Sequence, residues 1–174
     1  MKEESIIGVV AACIAIIGII LTYSQIYQTK KIKRAEFVSD LLKTIRSNNE
    51  ITNIKYLFDY NNKWYNEKFH GSNVELHIDN YLSQLNYICF LKTKKLISYD
   101  EFEIFEYELD RSIKNEDCVC YLWNIYHWSK FNKKKCSFEF LIDYLKSKIS
   151  HDELSIFENS DEKAGRYIRH LNFK

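Results

Sequence analysis

The N-terminal part of the chain changes from an uninterrupted apolar run to a periodic helical pattern. Residues 6–21 read IIGVVAACIAIIGIIL without a polar side chain, and residues 5–29 carry no charge. A helix needs about 20 largely apolar residues to cross a bilayer, and Thr22, Tyr23 and their neighbours extend the run to that length. The pattern predicts an anchor in residues 1–29 and a separate body in residues 30–174.

Two features distinguish this segment from a cleaved signal peptide, which is the alternative interpretation. Its ten Ile, Val and Leu residues favour membrane insertion by about 3 to 6 kcal/mol in total. The run is longer than a signal-peptide core, and no small-residue cleavage site precedes the basic residues that follow. Tyr23 and Tyr27 fall where an interfacial aromatic belt is expected. We therefore expect a retained transmembrane helix.

Four cations follow the uncharged run of residues 5–29, namely Lys30, Lys31, Lys33 and Arg34. Basic residues flanking a membrane helix remain on the cytoplasmic side. The cluster predicts a single-pass membrane protein, with its N-terminus outside and its C-terminal body in the cytoplasm. The same cations can attract anionic headgroups at about 1 kcal/mol each, so the lipid bilayer is the first predicted partner.

Small residues in the anchor recur at spacings of three and four, which places them along one helix face. They are Gly8, Ala11, Ala12, Ala15 and Gly18. Small-xxx-small pairs let helix backbones approach closely in lipid, although small residues are also common in membrane helices generally. Because the chain has one such helix, a partner helix must come from another chain. The stripe favours a homo-oligomer.

The remaining sequence repeats apolar positions with helical spacing. Helices are expected at 31–48, 50–60, 74–96, after Ser98, at 116–130, after Ser137, at 152–157 and at 162–171. Ser98 and Glu101 form a capping-box pattern, and a polar, aromatic loop is expected at 61–73. No breaker separates 31–48 from the anchor, so one long helix is expected to leave the membrane. The prediction is an all-α chain: a transmembrane helix followed by a helical bundle.

Composition supports that fold and narrows the function classes. The chain has no proline and four glycines, which disfavours sheets and tight turns. Its net charge is +1; subtracting −1 for residues 1–4 and +4 for residues 30–34 leaves −2 for the rest. That balance is not typical of a dedicated nucleic-acid binder, so RNA binding stays an unsupported option. No cofactor motif is present, and we expect no cofactor.

Two local clusters have ordinary interpretations beside functional ones. Cys118, Cys120, His127 and Cys136 contain zinc-ligand types, but residues two apart on a helix point in nearly opposite directions. Buried free thiols in a reducing compartment are therefore favoured over a metal site. The lysine runs at 92–95 and 133–135 suit solvated helix ends, with contact to RNA or an acidic partner as the alternative.

Arg166 and His170 are the one pair with catalytic potential. They are four residues apart, so on a helix they share a face. Arginine can hold phosphate charge while histidine transfers a proton, which is the chemistry of metal-free RNA cleavage. The same pair near a helix C-terminus can instead complement the helix dipole. No catalytic residue is assigned with preference over that structural use.

The layout resembles the small HEPN-like membrane accessory proteins of type VI-B CRISPR systems. The resemblance rests on the chain size, the IIGVVAACIAIIGIIL anchor, the KKIKRAEF exit, the proline-free helical body and the late GRYIRH sequence. It implies a HEPN-like bundle and a membrane ring that opens a pore and depolarises the cell. It also implies a functional link to an RNA-guided, RNA-cleaving effector.

The late Arg/His pair departs from the family pattern in its spacing. HEPN ribonucleases place four to six residues between arginine and histidine, whereas only Tyr167, Ile168 and Arg169 intervene here. We therefore expect a non-enzymatic, pore-forming accessory effector that strengthens antiphage defence. The alternatives are a membrane-tethered HEPN-type ribonuclease and an adapter that recruits a cytoplasmic partner.

Overall fold

The computed structural model describes residues 2–47, 49–60 and 63–159, with side chains of residues 2–7, 9 and 11 outside the description. Within these residues all regular secondary structure is helical, which confirms the all-α prediction. The helices are α1 (Lys2–Ser47), α2 (Asn49–Asp59), α3 (Asn73–Thr93), α4 (Tyr99–Glu103), α5 (Glu106–Lys114), α6 (Glu116–Phe131), α7 (Glu139–Lys148) and α8 (His151–Glu158). The helix expected at 162–171 lies outside the described residues.

Helix α1 is continuous over 46 residues, as the lack of a breaker after the anchor predicted. At 1.5 Å per residue it is about 69 Å long, more than twice the hydrocarbon thickness of a bilayer. Contacts divide the chain into two compact units, Met1–Leu41 and Leu42–Lys174. The anchor boundary after residue 29 stays a prediction, since the helix passes through it without interruption.

The second unit buries its apolar positions between helices. Ile78, Leu82, Leu85 and Ile88 of α3 are fully buried, and they recur at the three- and four-residue spacing of one helix face. Helix α7 lies along α3, with Phe140 against Phe90 at a ring-centroid distance of 5.2 Å. The body therefore builds its core from helix faces whose periodicity is visible in the sequence.

The helix expected after Ser98 is divided into two. Ser98 and Glu101 do form the predicted capping box, but α4 ends at Glu103 and α5 begins at Glu106. At the junction the Phe105 N–H donates to the Phe102 carbonyl over 2.9 Å, a tighter turn than that of an α-helix. Phe102, Phe105 and Leu109 are all fully buried. The prediction of one helix was wrong, although its three apolar positions do share one buried face, as their spacing of three and four indicates.

The start of α7 also differs from the prediction. Phe138, not Ser137, occupies the N-cap position, and no side chain of the cap residue bonds the first turn. Instead the Leu141 N–H donates to Oδ1 of Asn86 on α3 over 3.0 Å. The exposed backbone donor is thus satisfied from a neighbouring helix, which local sequence patterns cannot indicate.

Residues 63–72, which precede α3, contribute to the core although they form no helix or strand. Trp64, Tyr65 and Phe69 are buried, and their rings pack against Tyr121 of α6 at centroid distances of 6.1, 5.4 and 5.1 Å. The Tyr65 N–H donates to Asp117 over 2.9 Å. The polar, aromatic loop expected here is therefore an aromatic wedge that packs against α6.

Candidate functional site

The first candidate site is the apolar half of α1. Every described side chain from Ala12 to Arg34 is exposed, and Ile19 exposes 69% of its surface. Ala12–Ser47 is the one stretch of the described residues long and apolar enough to cross a membrane. Monomeric soluble proteins rarely expose apolar patches of this extent. By length and composition, the segment is therefore a candidate membrane span.

The small-residue stripe lies on this exposed helix. A Cβ added at Gly8 or Gly18 would meet no atom within 4 Å, and Ala12 and Ala15 are exposed. The placement of the Ala11 side chain lies outside the described residues. The Thr22 hydroxyl donates to the Gly18 carbonyl over 2.8 Å, so its polar hydrogen is satisfied within the helix, as lipid requires. The stripe is sterically open to another helix.

The basic cluster follows on the same helix. Lys30, Lys31, Lys33 and Arg34 are all exposed, so their charged groups reach the surface as headgroup contact would require. They lie between about 14 and 20 Å beyond Leu21 along the helix axis, at 1.5 Å per residue. The geometry is compatible with a membrane-spanning apolar segment that is followed by the basic cluster.

Arg166 and His170, the alternative catalytic pair, lie outside the described residues. Their distance and protonation therefore stay open, and the ribonuclease alternative stays a prediction.

A second site that sequence reasoning missed is an ionic cluster around Glu108, which is 7% exposed. Its carboxylate accepts hydrogen bonds from Lys55 over 3.1 Å, Arg111 over 2.8 Å and Tyr81 over 3.3 Å. Arg111 also pairs with Asp59 at 2.8 Å, beside a cleft of about 430 Å³. In the sequence, Glu108 and Arg111 have the i,i+3 spacing of an ordinary surface ion pair. Lys55 is 53 positions from Glu108, so the sequence alone does not indicate that these charges meet in a buried cluster. Each charge is compensated, so the cluster joins α2, α3 and α5 structurally.

A third site is an acidic and aromatic cavity of about 330 Å³ beside α3 and α6. The Tyr121 hydroxyl donates to Asp79 over 2.6 Å, and His70 contacts Glu75 at 2.8 Å. Burial raises the pKa of Asp79, against the lowering effect of the Tyr121 hydrogen bond. Burial also raises the pKa of Tyr121. The arrangement keeps the phenol protonated as a donor, which suits a structural bond.

The cysteines are separated into different environments. Cys118 and Cys120 are buried on α6, and burial raises the pKa of the Cys118 thiol. Burial raises the pKa of Cys89 to about 12. His127 directs its Nε2 to the Phe157 carbonyl over 2.9 Å, and no group of metal-ligand residues is assembled within the described part of the chain. The structure does not bring the apparent zinc set together.

Comparison with family models, curated proteins and solved structures finds no match to this chain. The likeness to the CRISPR accessory family, including its HEPN-like fold, thus remains a resemblance of layout. What the structure contributes to function is a long apolar helix segment, exposed along its described length, joined to a helical body with its own core.

Proposed function

We propose that the protein is a membrane-anchored homo-oligomer that permeabilises or depolarises the bacterial inner membrane. The observation that carries this proposal is that every apolar side chain between Ala12 and Arg34 is exposed. An exposed run of this length is insoluble as a free surface but stable in hydrocarbon. By the positive-inside rule, the basic cluster keeps the body on the cytoplasmic side of the membrane.

Self-association is supported by the open stripe. Gly8 and Gly18 leave the helix backbone uncovered, and Ala12 and Ala15 add only methyl groups. Without a hydrophobic driving force between helices in lipid, close backbone packing is what favours association. Several copies joined along this face would form a ring of helices around the assembly axis, and its opening would release the membrane potential.

The biological setting of the proposal comes from the family resemblance. An accessory effector of a type VI-B CRISPR system would act after the RNA-guided effector recognises phage RNA, and membrane depolarisation would strengthen the defence. Co-expression with such an effector should increase phage resistance, and disrupting the stripe should remove the increase. Resistance that does not depend on the stripe would contradict this role.

Dye release from liposomes tests the proposed activity. The full-length protein, reconstituted in vesicles containing a trapped fluorophore, should release dye, and Ala12→Leu with Ala15→Leu should reduce both release and oligomer size in detergent. Cys13→Leu is the matched control: it also enlarges a small residue, but position 13 is two residues from Ala15 and therefore about 200° around the helix.

Each outcome of that experiment has a definite meaning. Release by the wild type and by Cys13→Leu, but not by the stripe variant, supports a pore assembled through the stripe. Equal release by all three variants would contradict the role of the stripe. Vesicles that stay sealed around an intact oligomer would contradict permeabilisation and favour the adapter.

A further inference from the structure

The C-terminal end of α6 presents an exposed aromatic ring among lysines. Phe131 is 88% exposed, the highest value among the large apolar side chains that the structure describes. It is the last residue of α6, and residues 130–135 are all exposed. Trp128 is three residues earlier and thus on the same helix face. We refer to residues 128–135 as the α6 turn.

Hydrogen bonds fix the backbone of the α6 turn. The Lys134 N–H donates to the Ser129 carbonyl over 2.9 Å, and the Lys133 N–H donates to the Lys130 carbonyl over 3.2 Å. This pattern closes a helix when the intervening residue is left-handed, a position usually taken by glycine. Here Lys133 takes it, with φ +52°, at a cost of about 1 kcal/mol. The turn thus places a cation where glycine would be less strained.

The charge around Phe131 is strongly positive. Lys130, Lys133, Lys134 and Lys135 carry four positive charges against the one negative charge of Glu139, a balance of +3 for residues 128–139. Lys134 Nζ lies 4.9 Å from the centroid of the Trp128 ring. Only Lys135 approaches Glu139, at 3.8 Å. An exposed apolar ring is therefore flanked by four cations, of which Lys135 pairs with Glu139 and Lys130 helps to lower the pKa of Glu158.

The end of α3 has the same backbone and a different surface. Lys95 is left-handed there, with φ +55°, and the Leu96 N–H donates to the Leu91 carbonyl over 2.9 Å. The three lysines of residues 92–103 are balanced by three acidic residues, and Lys92 lies 4.0 Å from the Phe102 ring centroid. Aromatic exposure and excess positive charge coincide at the α6 turn and not at the end of α3.

We propose that the α6 turn is a second membrane contact, in which Phe131 enters the headgroup region of an anionic bilayer while the lysines bind lipid phosphates. Aromatic rings favour that region, and each lysine contributes about 1 kcal/mol near an anionic surface. The contact rests on the membrane location in the proposed function and does not depend on pore formation. Covalent connection to the anchor makes a weak contact effective.

RNA is the competing partner, because nucleotide bases stack on aromatic rings and phosphates bind lysine. The membrane is favoured because the turn exposes a single aromatic ring, Phe131. Single-strand binders usually offer several stacking rings along a basic groove.

Tryptophan quenching in reconstituted full-length protein tests the contact. Phe131→Trp and the control Tyr99→Trp each add an indole at an exposed aromatic position; Tyr99 is 62% exposed and precedes Asp100 and Glu101. Tryptophan emission is measured in vesicles of phosphatidylcholine with phosphatidylglycerol, and the emission of the wild type is subtracted. Lipids brominated in the acyl chain near the headgroup act as the quencher. We expect Phe131→Trp to lose most of its added emission and shift to shorter wavelength, whereas Tyr99→Trp keeps both.

A charge series tests the lysines separately. Adding Lys130→Gln, Lys133→Gln and Lys134→Gln to Phe131→Trp should abolish the quenching, whereas Lys63→Gln, Lys68→Gln and Lys114→Gln should not. Quenching that persists without phosphatidylglycerol would overturn the headgroup role. Quenching by single-stranded RNA and not by brominated lipid would overturn the membrane in favour of RNA.

The same measurement separates this proposal from the proposed function. An unquenched Phe131→Trp protein that still releases dye would reject the α6 turn and leave the pore standing. A quenched protein in sealed vesicles would support the turn and reject the pore. Unchanged far-ultraviolet circular dichroism confirms that the variants are folded, which the exposure of Phe131 makes the expected result.

Discussion

Helices α1 and α3 contain the same kinds of apolar side chain in opposite environments. Ile16, Ile17 and Ile19 of α1 are each more than half exposed, whereas Leu82 and Leu85 of α3 are fully buried. Both helices are rich in good helix-forming or membrane-inserting residues, so local preference does not explain the difference. What differs is whether the chain supplies a partner surface.

The difference shows that burial within the chain stabilises the apolar face of α3 but not the apolar segment of α1. The α3 face is completed by aromatic and aliphatic side chains from the same chain, so its burial contributes to the folding free energy of the body. The α1 segment gains nothing comparable within its own unit. Its apolar surface is therefore available to stabilise insertion in lipid or contact with another copy.

The largest predicted effect is loss of membrane association on charging the α1 segment. The double variant Ile16→Arg and Ile19→Arg removes two favourable contributions to the free energy of membrane insertion and adds two unfavourable ones of about +2.5 to +3.5 kcal/mol each. This change exceeds the roughly 3 to 6 kcal/mol by which the apolar run favours insertion. Carbonate extraction should release the variant. Leu96→Arg, at an exposed position of the body, should stay in the membrane pellet. Release of both variants, or of neither, would contradict the difference between α1 and the body.

A cavity in α3 should have the next largest effect and act on the body alone. Leu85→Ala should lower the free energy of unfolding by about 2 to 5 kcal/mol, because a fully buried side chain is removed. Ile17→Ala should leave the body's denaturant midpoint unchanged in detergent. Circular dichroism during urea titration measures both, and equal losses would show that α1 contributes to the body's core.

A smaller effect is expected where α3 supports α7. Asn86→Ala removes the acceptor for the Leu141 N–H and should cost about 0.5 to 2 kcal/mol, the range of a lost helix cap. Ser137→Ala is the control, since Ser137 precedes the N-cap residue Phe138, which makes no side-chain cap bond. A larger loss in Ser137→Ala than in Asn86→Ala would contradict the cross-helix cap.

The smallest predicted effect is a weak acid sensitivity of the body. Burial lowers the pKa of His127, whereas its hydrogen bond to the Phe157 carbonyl raises it. The positive charges of Lys130 and Lys146 lower the pKa further. The unfolded chain therefore binds this proton more readily, so stability present above about pH 6.5 falls as the pH drops toward the lowered pKa. His127→Gln should flatten that part of a stability profile. An unchanged slope would remove His127 as its cause.

Local periodicity was sufficient to predict most of the described helices and the long apolar helix near the N-terminus. The capping box at Ser98 and the helix at 116–130 were visible because their determinants lie within a few residues of each other. Three other contacts join residues more than 40 positions apart. They are the bond from the Leu141 N–H to Asn86, the ion pair of Lys55 with Glu108, and the packing of the aromatic wedge against α6. Only the folded chain brings these groups together. The α6 turn needed exposure and backbone geometry, since its lysines alone resemble an ordinary helix end.

Accessibility of Cys13 is the most direct test of the membrane segment. Its side chain is exposed in the single chain and faces away from the small-residue stripe, so lipid should cover it in the assembled protein. In a Cys136→Ser background, a polar maleimide should label Lys30→Cys in open membrane fragments but leave Cys13 unlabelled until the bilayer is dissolved in SDS. Equal labelling of both positions before the membrane is dissolved would contradict a lipid-embedded helix.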